Sequence, residues 1–419
     1  MAQTATTLLP LLREAWTSEE IVKQFEAANG PLVRIQKVKG TTIGKQAQVP
    51  IHKNRNLGGY TSVGAGGGSL NAAGQQAVDQ ATYTMVYHWL QVQLDASALI
   101  QAGGNEAQAI VSAKSLEIEN SVENVYHQCT RQLMTNGDSI VAACATSGGS
   151  TVVPLIGSPS GTAWGYDALV RGWLGVGSKV DVGITADTDV LAGDQVVSAV
   201  SFSTPASPTI TIPTSITTTS GTHFVYVSNP NSATAANPEI NGLRSIVNST
   251  GAVGGLNPTT AGQEFWQAAQ RDTATTVFSL DMALSLQRSV MQFSGKPHTD
   301  VWCGLKQGAN FYSLLQNQVR FASDTEPSAG SVMTVKWNGM TVDQFPDVLD
   351  SDWYALTLSD WCRIKGETDG PVWASEMQGS TQGQIWGQGT TQFNDAVVYP
   401  IQVGVNRRNT QAAATGLTA

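Results

Sequence analysis

Apolar and polar residues change their period several times along the chain, and each change marks an element. Residues 1–16 form a short apolar-polar arm with no clear period. Thr17 to Gly30 reads as a helix. Thr17 as N-cap and Glu20 three residues on make a capping box, Ile21 and Phe25 supply an apolar stripe, and Gly30 supplies the stop. From Val33 to His52 the pattern becomes extended, with Ile43, Val49 and Ile51 set among short polar residues. Pro50 predicts an edge position there, because it cannot donate to a ladder. A glycine-rich tip follows at Gly58-Gly59 and Gly64-Ala65-Gly66-Gly67-Gly68, and the chain returns from Gln80 to Leu94. Tyr83, Met85, Tyr87 and Trp89 alternate on one face, while Leu90, Val92 and Leu94 run in the opposite phase, which predicts a bulge or twist near Trp89. A lone two-stranded ribbon of roughly 60 residues is marginal in water. It must be covered by the body of the protein or by an adjacent subunit.

The next pattern is helical. A short helix over about Ala96 to Ala102 is broken by Gly103-Gly104, and a long one runs from about Asn105 to Met134. Ile118, Val122, Val125, Cys129 and Leu133 follow at steps of four, three, four and four, which is one helical face. Thirty residues at about 1.5 Å each make this helix about 45 Å long, so its stripe has to lie across a sheet or along a neighbour. Asn136-Gly137 ends it. Residues 150–235 are rich in Thr, Ser, Gly and Val, with strands expected at Val180–Ile184, Gln195–Phe202, Thr209–Ile212 and Thr222–Val227. This is a β-rich insertion with a boundary near Asn229-Pro230.

From Glu239 helices and strands alternate. A helix is expected over about Ala274 to Phe293, with Phe278, Met282, Leu286 and Val290 on its stripe, and a second over about Gly308 to Phe321. Strands are expected at Asp300 to Cys303, Val332–Trp337, Met340–Gln344, near Trp353–Leu358, and over Gln392 to Val405. A polar tail from Asn406 is expected to be mobile. No repeat at solenoid periods is present.

Length and charge narrow the possibilities. At 419 residues the chain can bury a large core and form more than one domain. Charged residues are 13% of it, about half the usual share of ~25%. The balance of 23 basic and 32 acidic residues is −9, which argues against a sequence-independent DNA binder driven by clustered Lys and Arg. A surface of Ser, Thr, Asn, Gln, Gly and Ala needs few charges desolvated when it is buried against other chains. The same composition also suits a secreted β-rich protein with uncharged polar faces. The four cysteines, Cys129, Cys144, Cys303 and Cys362, lie far apart without a Cys-x-x-Cys pair, as expected of buried thiols in a reducing compartment. Met1 to Leu12 has no basic stretch leading into a long apolar run, so no signal peptide is expected, and no window approaches the ~18 apolar residues of a membrane span.

Catalytic and cofactor patterns are not met. Gly40-Thr41-Thr42-Ile43-Gly44-Lys45-Gln46 is one residue short of a phosphate loop and has Gln where a magnesium-binding hydroxyl is needed. Gly157-Ser158-Pro159-Ser160-Gly161 has Pro at the nucleophile position of an elbow. His52, His88, His127, His223 and His298 have no metal-ligand spacing. Glu117, Glu119 and Glu123 read as a solvated helix face. Asp187, Asp189 and Asp194 lack the spacing and glutamate of a calcium cage, and Asp347, Asp350 and Asp352 read as turn caps. The expectation is a non-enzyme with no catalytic residue, no metal and no cofactor.

Taken together, the glycine-tipped ribbon, the long helix and the α/β body resemble the tailed-bacteriophage major capsid proteins of the Hong Kong 97 fold. Asn136-Gly137-Asp138 after the long helix, Gly339-Met340-Thr341-Val342-Asp343-Gln344-Phe345-Pro346 and Trp353-Tyr354-Ala355-Leu356 carry the likeness with the order of elements. The resemblance implies an α+β fold with an N-terminal arm (1–32), an extended β-hairpin loop (33–95), and a peripheral domain containing the spine helix (96–149 and 360–405). It further implies an axial domain (236–359) and a C-terminal tail (406–419), with residues 150–235 as a β-rich insertion outside the minimal pattern. Extended-loop residues Lys45, Lys53, Gly58, Gly59, Tyr60, Gly64, Gly66, Gly67, Gly68, Tyr83, Tyr87 and Trp89 are then the candidates for contacts between subunits. Ile118, Val122, Val125, Cys129 and Leu133 form the spine stripe. Some members of the family cross-link an extended-loop lysine to a neighbour's asparagine; Lys45 and Lys53 match no such site and read as ordinary solvated lysines.

The function implied is self-assembly into pentamers and hexamers of an icosahedral head shell that encloses double-stranded DNA without sequence-specific binding. Portal, scaffolding and decoration or cement proteins are the implied partners. The chain would be made and assembled in the host bacterial cytoplasm and end in the virion, with no membrane contact. Two other readings stand beside it: an encapsulin-type compartment shell, and, in a different class, a β-rich adhesin or glycan-binding protein with tryptophans as stacking platforms.

Overall fold

The computed structural model describes residues 30–38, 42–43, 46–54, 77–95, 124–125, 127–156, 165–184, 190–203, 207–228, 239–272, 276–316, 335–345, 347–365, 372–373, 385–386 and 392–418. The predicted helix over residues 17–29 and the glycine tip lie outside these residues. Gly30 does not stop a helix; it lies within α1 (Gly30–Arg34), the first described element.

The ribbon is built from β2 (Thr42–Ile43), β3 (Gln46–Asn54) and β4 (Ala77–Thr84), in the order β2-β3-β4. Antiparallel pairs run from Gln46↔Thr84 to Asn54↔Ala77. Short β2 pairs only with Ala47 and Gln46, so among the described residues no strand pairs with β3 on that side at Pro50, which suits its missing N–H. The expected ribbon ends sooner than Leu94. After Met85 the chain becomes β5 (Val86–Asp95), which pairs with β21 (Gln392–Val405) from Val86↔Ile401 to Asp95↔Gln392.

That pairing places β5 in a six-stranded sheet. β21 also pairs with β18 (Trp361–Lys365), β19 (Val372–Trp373) and β20 (Ile385–Trp386), and β1 (Lys37–Val38) adds in parallel to β18. Residues 124–125 and 127–134 are helical and form α2. Val125, Cys129 and Leu133 are buried in one core with Ile401, Val403 and Val405 of β21. Ile118 and Val122 lie outside the described residues.

The inserted module begins earlier than residue 150, because β6 (Ile140–Ala143) pairs with β12 (His223–Val227). One sheet has the order β6-β12-β8-β9, with β8 at Lys179–Ile184 and β9 at Val190–Val196. The other has the order β10-β11-β7, with β7 at Ser147–Pro154, β10 at Ala199–Ser201 and β11 at Thr209–Thr218. Val153, Ile210, Val182 and Val225 share a core between them, closed by Ala168 and Leu169 of α3 (Gly165–Val170). The expected strand over 195–202 is two strands, split at Val197-Ser198.

The chain enters and leaves this module through a narrow neck. A Cβ on Gly137 would lie 2.2 Å from the carbonyl oxygen of Ile240, and one on Gly242 would lie 1.9 Å from that of Thr135. Gly137 is also left-handed, at φ 70°, so both positions require glycine. Arg131 and Glu239 form a buried ion pair across the neck, Glu239 Oε2 accepts from the Ser139 N–H at 3.0 Å, and Gln132 Oε1 accepts from the Ile240 N–H at 3.3 Å.

The last layer is a six-stranded sheet in the order β13-β22-β17-β14-β16-β15. Its strands are β13 (Ala269–Asp272), β14 (Asp300–Cys303), β15 (Val335–Trp337), β16 (Met340–Gln344), β17 (Trp353–Leu356) and β22 (Ala412–Thr415). Short α4 (Leu243–Ile246) leads towards it from the neck. Helix α5 (Leu280–Ser294) starts later than the periodicity predicts because Ser279 caps it, its hydroxyl accepting from the Met282 N–H, and Gly295 at φ 72° ends it. Between the parallel strands β14 and β16 the chain forms α6 (Leu305–Gln316) and then β15, which pairs antiparallel with β16. Phe278, Phe311 and Trp353 pack ring against ring with centroids 4.5 to 6.1 Å apart.

The polar tail expected from Asn406 is instead structural. Ala412, Ala413 and Ala414 are buried, and β22 lies between β13 and β17. Alanine gives little pattern signal, and the strand is identifiable only once its neighbours are in place. Arg408 secures the turn before it. Its guanidinium is buried and donates to five backbone carbonyls, those of Ser245, Ile246, Thr250, Gly251 and Trp266, at 2.7 to 3.2 Å. Replacing it with Met should orphan these carbonyls and cost about 3 kcal/mol or more. The expected result is a clearly lowered urea midpoint with normal secondary structure before the transition, measured by circular dichroism.

Candidate assembly surfaces

The ribbon root obeys the two-residue period of a strand. Ala47 stands opposite Tyr83 and Val49 opposite Ala81, and this face is turned inward. It packs on the loop of residues 253–266 through Val253, Leu256 and Trp266. The Thr82 N–H donates to the Gly254 carbonyl at 2.8 Å. A Cβ on Gly254, which sits at φ 61°, would come within 2.9 Å of Ala81. The other face is polar, with Gln80 donating to Gln48 at 2.7 Å, and it carries Val78, 66% exposed. The body of the chain therefore covers the described root of the ribbon.

Tyr83 is corrected by this arrangement. Expected at a contact between subunits, it lies 1% exposed in the chain's own core. Its hydroxyl donates to the Val405 carbonyl at 2.8 Å and accepts from the Val405 N–H at 3.1 Å. Burial raises its phenol pKa far above the usual value. The ring also presses on Gly404, where a Cβ would come within 2.8 Å. Alternation alone could not separate Tyr83 from Tyr87, because the phase changes at Met85-Val86, both buried, rather than near Trp89. Beyond that switch Tyr87 and Trp89 face outward, 38% and 62% exposed, while His88 turns inward. Lys53 is part-buried and 3.8 Å from Asp79. Lys45, Gly58, Gly59, Tyr60, Gly64, Gly66, Gly67 and Gly68 lie outside the described residues.

A crevice of about 780 Å³ runs beside β5. Arg131 and Glu239 of the neck line it, as do Trp173, Lys179 and Asp194 of the inserted module. Burial, with the Arg131 charge acting in the same sense, pushes the His88 pKa down to about 4. His298, buried beside β14, is likewise pushed down to about 4.

The remaining candidate chemistry is dispersed. Among the described residues no group of His, Cys, Asp and Glu could hold a metal. All four cysteines are free and buried, and burial raises their pKa, which leaves them poor nucleophiles. The three carboxylates near residue 350 serve different partners. Asp352 takes a two-pronged bond from Arg244 at 2.9 and 3.0 Å and a bond from Tyr354 at 2.6 Å. Asp350 caps α6 by accepting from the Lys306 N–H. Burial raises the pKa of the Asp347 carboxyl, against the pull of Arg171 and His127. Sequence reasoning missed the pairs Arg131–Glu239 and Arg244–Asp352; each spans 108 positions, and no local pattern signals them. No helix among the described residues is long and apolar enough to cross a membrane.

No protein-family profile and no curated protein sequence matches the chain. Solved structures are similar in overall shape. The capsid asymmetric unit of cyanophage A-1(L) is 9% identical with a TM-score of 0.49, covering 92% of this chain and 91% of that one. A structure of Mycobacterium phage Patience is 8% identical with a TM-score of 0.45, covering 96% and 87%. The holo-SrpI encapsulin complex from Synechococcus elongatus is 7% identical with a TM-score of 0.41, covering 100% and 92%.

The histidines give a pH prediction. Both pKa values fall from 6.5 in the unfolded chain to about 4 in the folded one. Between those values the unfolded state binds more protons, so stability falls as pH drops through the window and levels off above it. The raised carboxyl of Asp347 acts in the opposite sense. His88→Gln leaves it in place and should lose less stability than the parent between about pH 7 and about pH 4.5, read as the shift in urea midpoint.

Proposed function

We propose that this chain is a structural shell subunit, a tailed-phage major capsid protein whose copies close into an icosahedral head around double-stranded DNA. One observation carries the reading. Residues 77–95 are nearly continuous extended chain, with β4 in the ribbon and β5 in the body sheet. The ribbon is therefore a hairpin rooted in the body, and its far end leads into residues 55–76. Those residues include the glycine tip, and from Asn56 to Val78 the sequence has no charged side chain. A segment of this kind can be buried against a neighbour without desolvating charge.

The rest of the chain supports the reading. The described hairpin, body strand, β-rich module, α/β layer and returning strands, taken in chain order, support an assignment to arm, extended loop, peripheral and axial domains. Exposed Val78, Tyr87 and Trp89 lie on the ribbon and on the strand continuing from it. A closed shell of one chain needs heterologous contacts that curve and close, and contacts of an obligate kind bury roughly 2,000–5,000 Å². Scaffolding, portal and decoration proteins belong to the same proposal, as does assembly in a bacterial cytoplasm.

Negative-stain microscopy and sedimentation of the purified chain test this reading. Hollow closed particles are expected, and dispersed monomers under all assembly conditions would defeat it. Nuclease-protected DNA inside particles from infected cells separates a virus head from a compartment that holds a cargo enzyme. Deleting Gly58 to Asn71 should leave a soluble, folded subunit that forms no stable shells; normal particles from that variant would remove the loop from assembly.

A further inference from the structure

Strand β5 pairs with β21 along one edge, and among the described residues no strand pairs with the other. Six successive residues, Met85 to Leu90, line the crevice of about 780 Å³. Neighbouring side chains of a strand point to opposite faces. A crevice touched by all six therefore follows the strand's edge rather than one of its faces. Unpaired edges of this length are templates for another strand.

The lining defines what could fill it. The charges are already matched, Arg131 with Glu239 and Lys179 with Asp194 at 3.6 Å. A charged occupant would find no free counter-ion among these pairs. Among the described residues two buried polar atoms of the crevice, His88 Nε2 and Arg131 Nη1, have no hydrogen-bond partner, a costly state that an added carbonyl or hydroxyl would relieve. Exposed Tyr87 and Trp89, with Trp173 opposite, offer surface for apolar side chains. An uncharged, extended polypeptide meets all of these requirements.

We infer that the crevice receives an uncharged extended segment of a second copy of this chain, added as a strand to the open edge of β5. Charge complementarity fits a second copy as the donor, because this chain carries long uncharged stretches. Residues 1–12, 56–78 and 195–222 contain no Asp, Glu, Lys or Arg, whereas average chains carry such residues at about one position in four. The inference rests on the shell reading, which places copies side by side, and it adds the surface and the mode of contact. Main-chain hydrogen bonds supply affinity in strand addition, and alternate side chains supply selectivity.

Particles assembled from equal amounts of ¹⁵N-labelled and unlabelled chains, carrying the photo-cross-linker p-benzoylphenylalanine in place of Trp89, test it. Irradiation, digestion and mass spectrometry should give cross-linked peptide pairs of mixed label. Cross-links within one label alone, cross-links to another protein, or none in well-formed particles would overturn the inference. Hydrogen exchange of the unsubstituted chain gives a second reading. Amides on the open edge of residues 86–95 should exchange about tenfold or more slowly in particles than in free subunits, and unchanged exchange would count against strand addition. If no particles form, the shell reading fails by itself. Mixed-label cross-links in smaller oligomers would still uphold strand addition, and their absence there would overturn it too.

Discussion

Both large sheets depend on one stretch of chain, residues 392–415. β21 is the strand on which β5, β18, β19 and β20 all pair, and β22 lies between β13 and β17 in the other sheet. Between these strands sits Arg408, whose buried guanidinium is stabilised by five carbonyl dipoles. Burial lowers its pKa to about 10, still well above neutral pH. The two layers are thus joined by a covalent turn held by a fixed cation, and the ribbon is tied to the same stretch where Tyr83 bonds Val405. Pairings of such long sequence separation are slow to form, because loop closure costs entropy before any contact offsets it.

A second constraint is the neck of the inserted module. Two backbones cross at Gly137 and Gly242 at a distance that no side chain would allow, and a buried ion pair sits beside the crossing. Removing one partner of such a pair leaves an uncompensated buried charge, which costs far more than the pair contributes when intact. The neck therefore fixes where the module meets the body, and so it fixes the walls of the crevice beside β5. The module's three-stranded sheet β10-β11-β7 contains no charged residue at all, which matches the low charge of the chain and leaves little electrostatic barrier to close packing of copies.

Much of the architecture was legible in local patterns. β14, β16 and β21 fall where alternation and flanking turns place them, and the stripe of Val125, Cys129 and Leu133 is buried on the sheet side of α2. Helix ends were less legible. Ser279 and Asp350 decide where α5 and α6 begin, and Asp350 does so from 44 residues away in sequence. The tail was misread because three alanines carry no amphipathic signal, and their strand exists only through its two neighbours.

By itself the sequence determined the α+β class, the paired strands of the hairpin, the helical stripe of Val125, Cys129 and Leu133 and a charge-poor β-rich insertion, since these follow from period and composition. Tertiary structure decided which aromatic residues of the ribbon face inward, where the insertion is cut from the body, and that the chain's polar end supplies an inner strand of a sheet. It also decided that, among the described residues, one edge of β5 is unpaired beside a crevice of matched charges. The reason is common to all four: a side chain's burial depends on partners hundreds of positions away, and no local spacing encodes them.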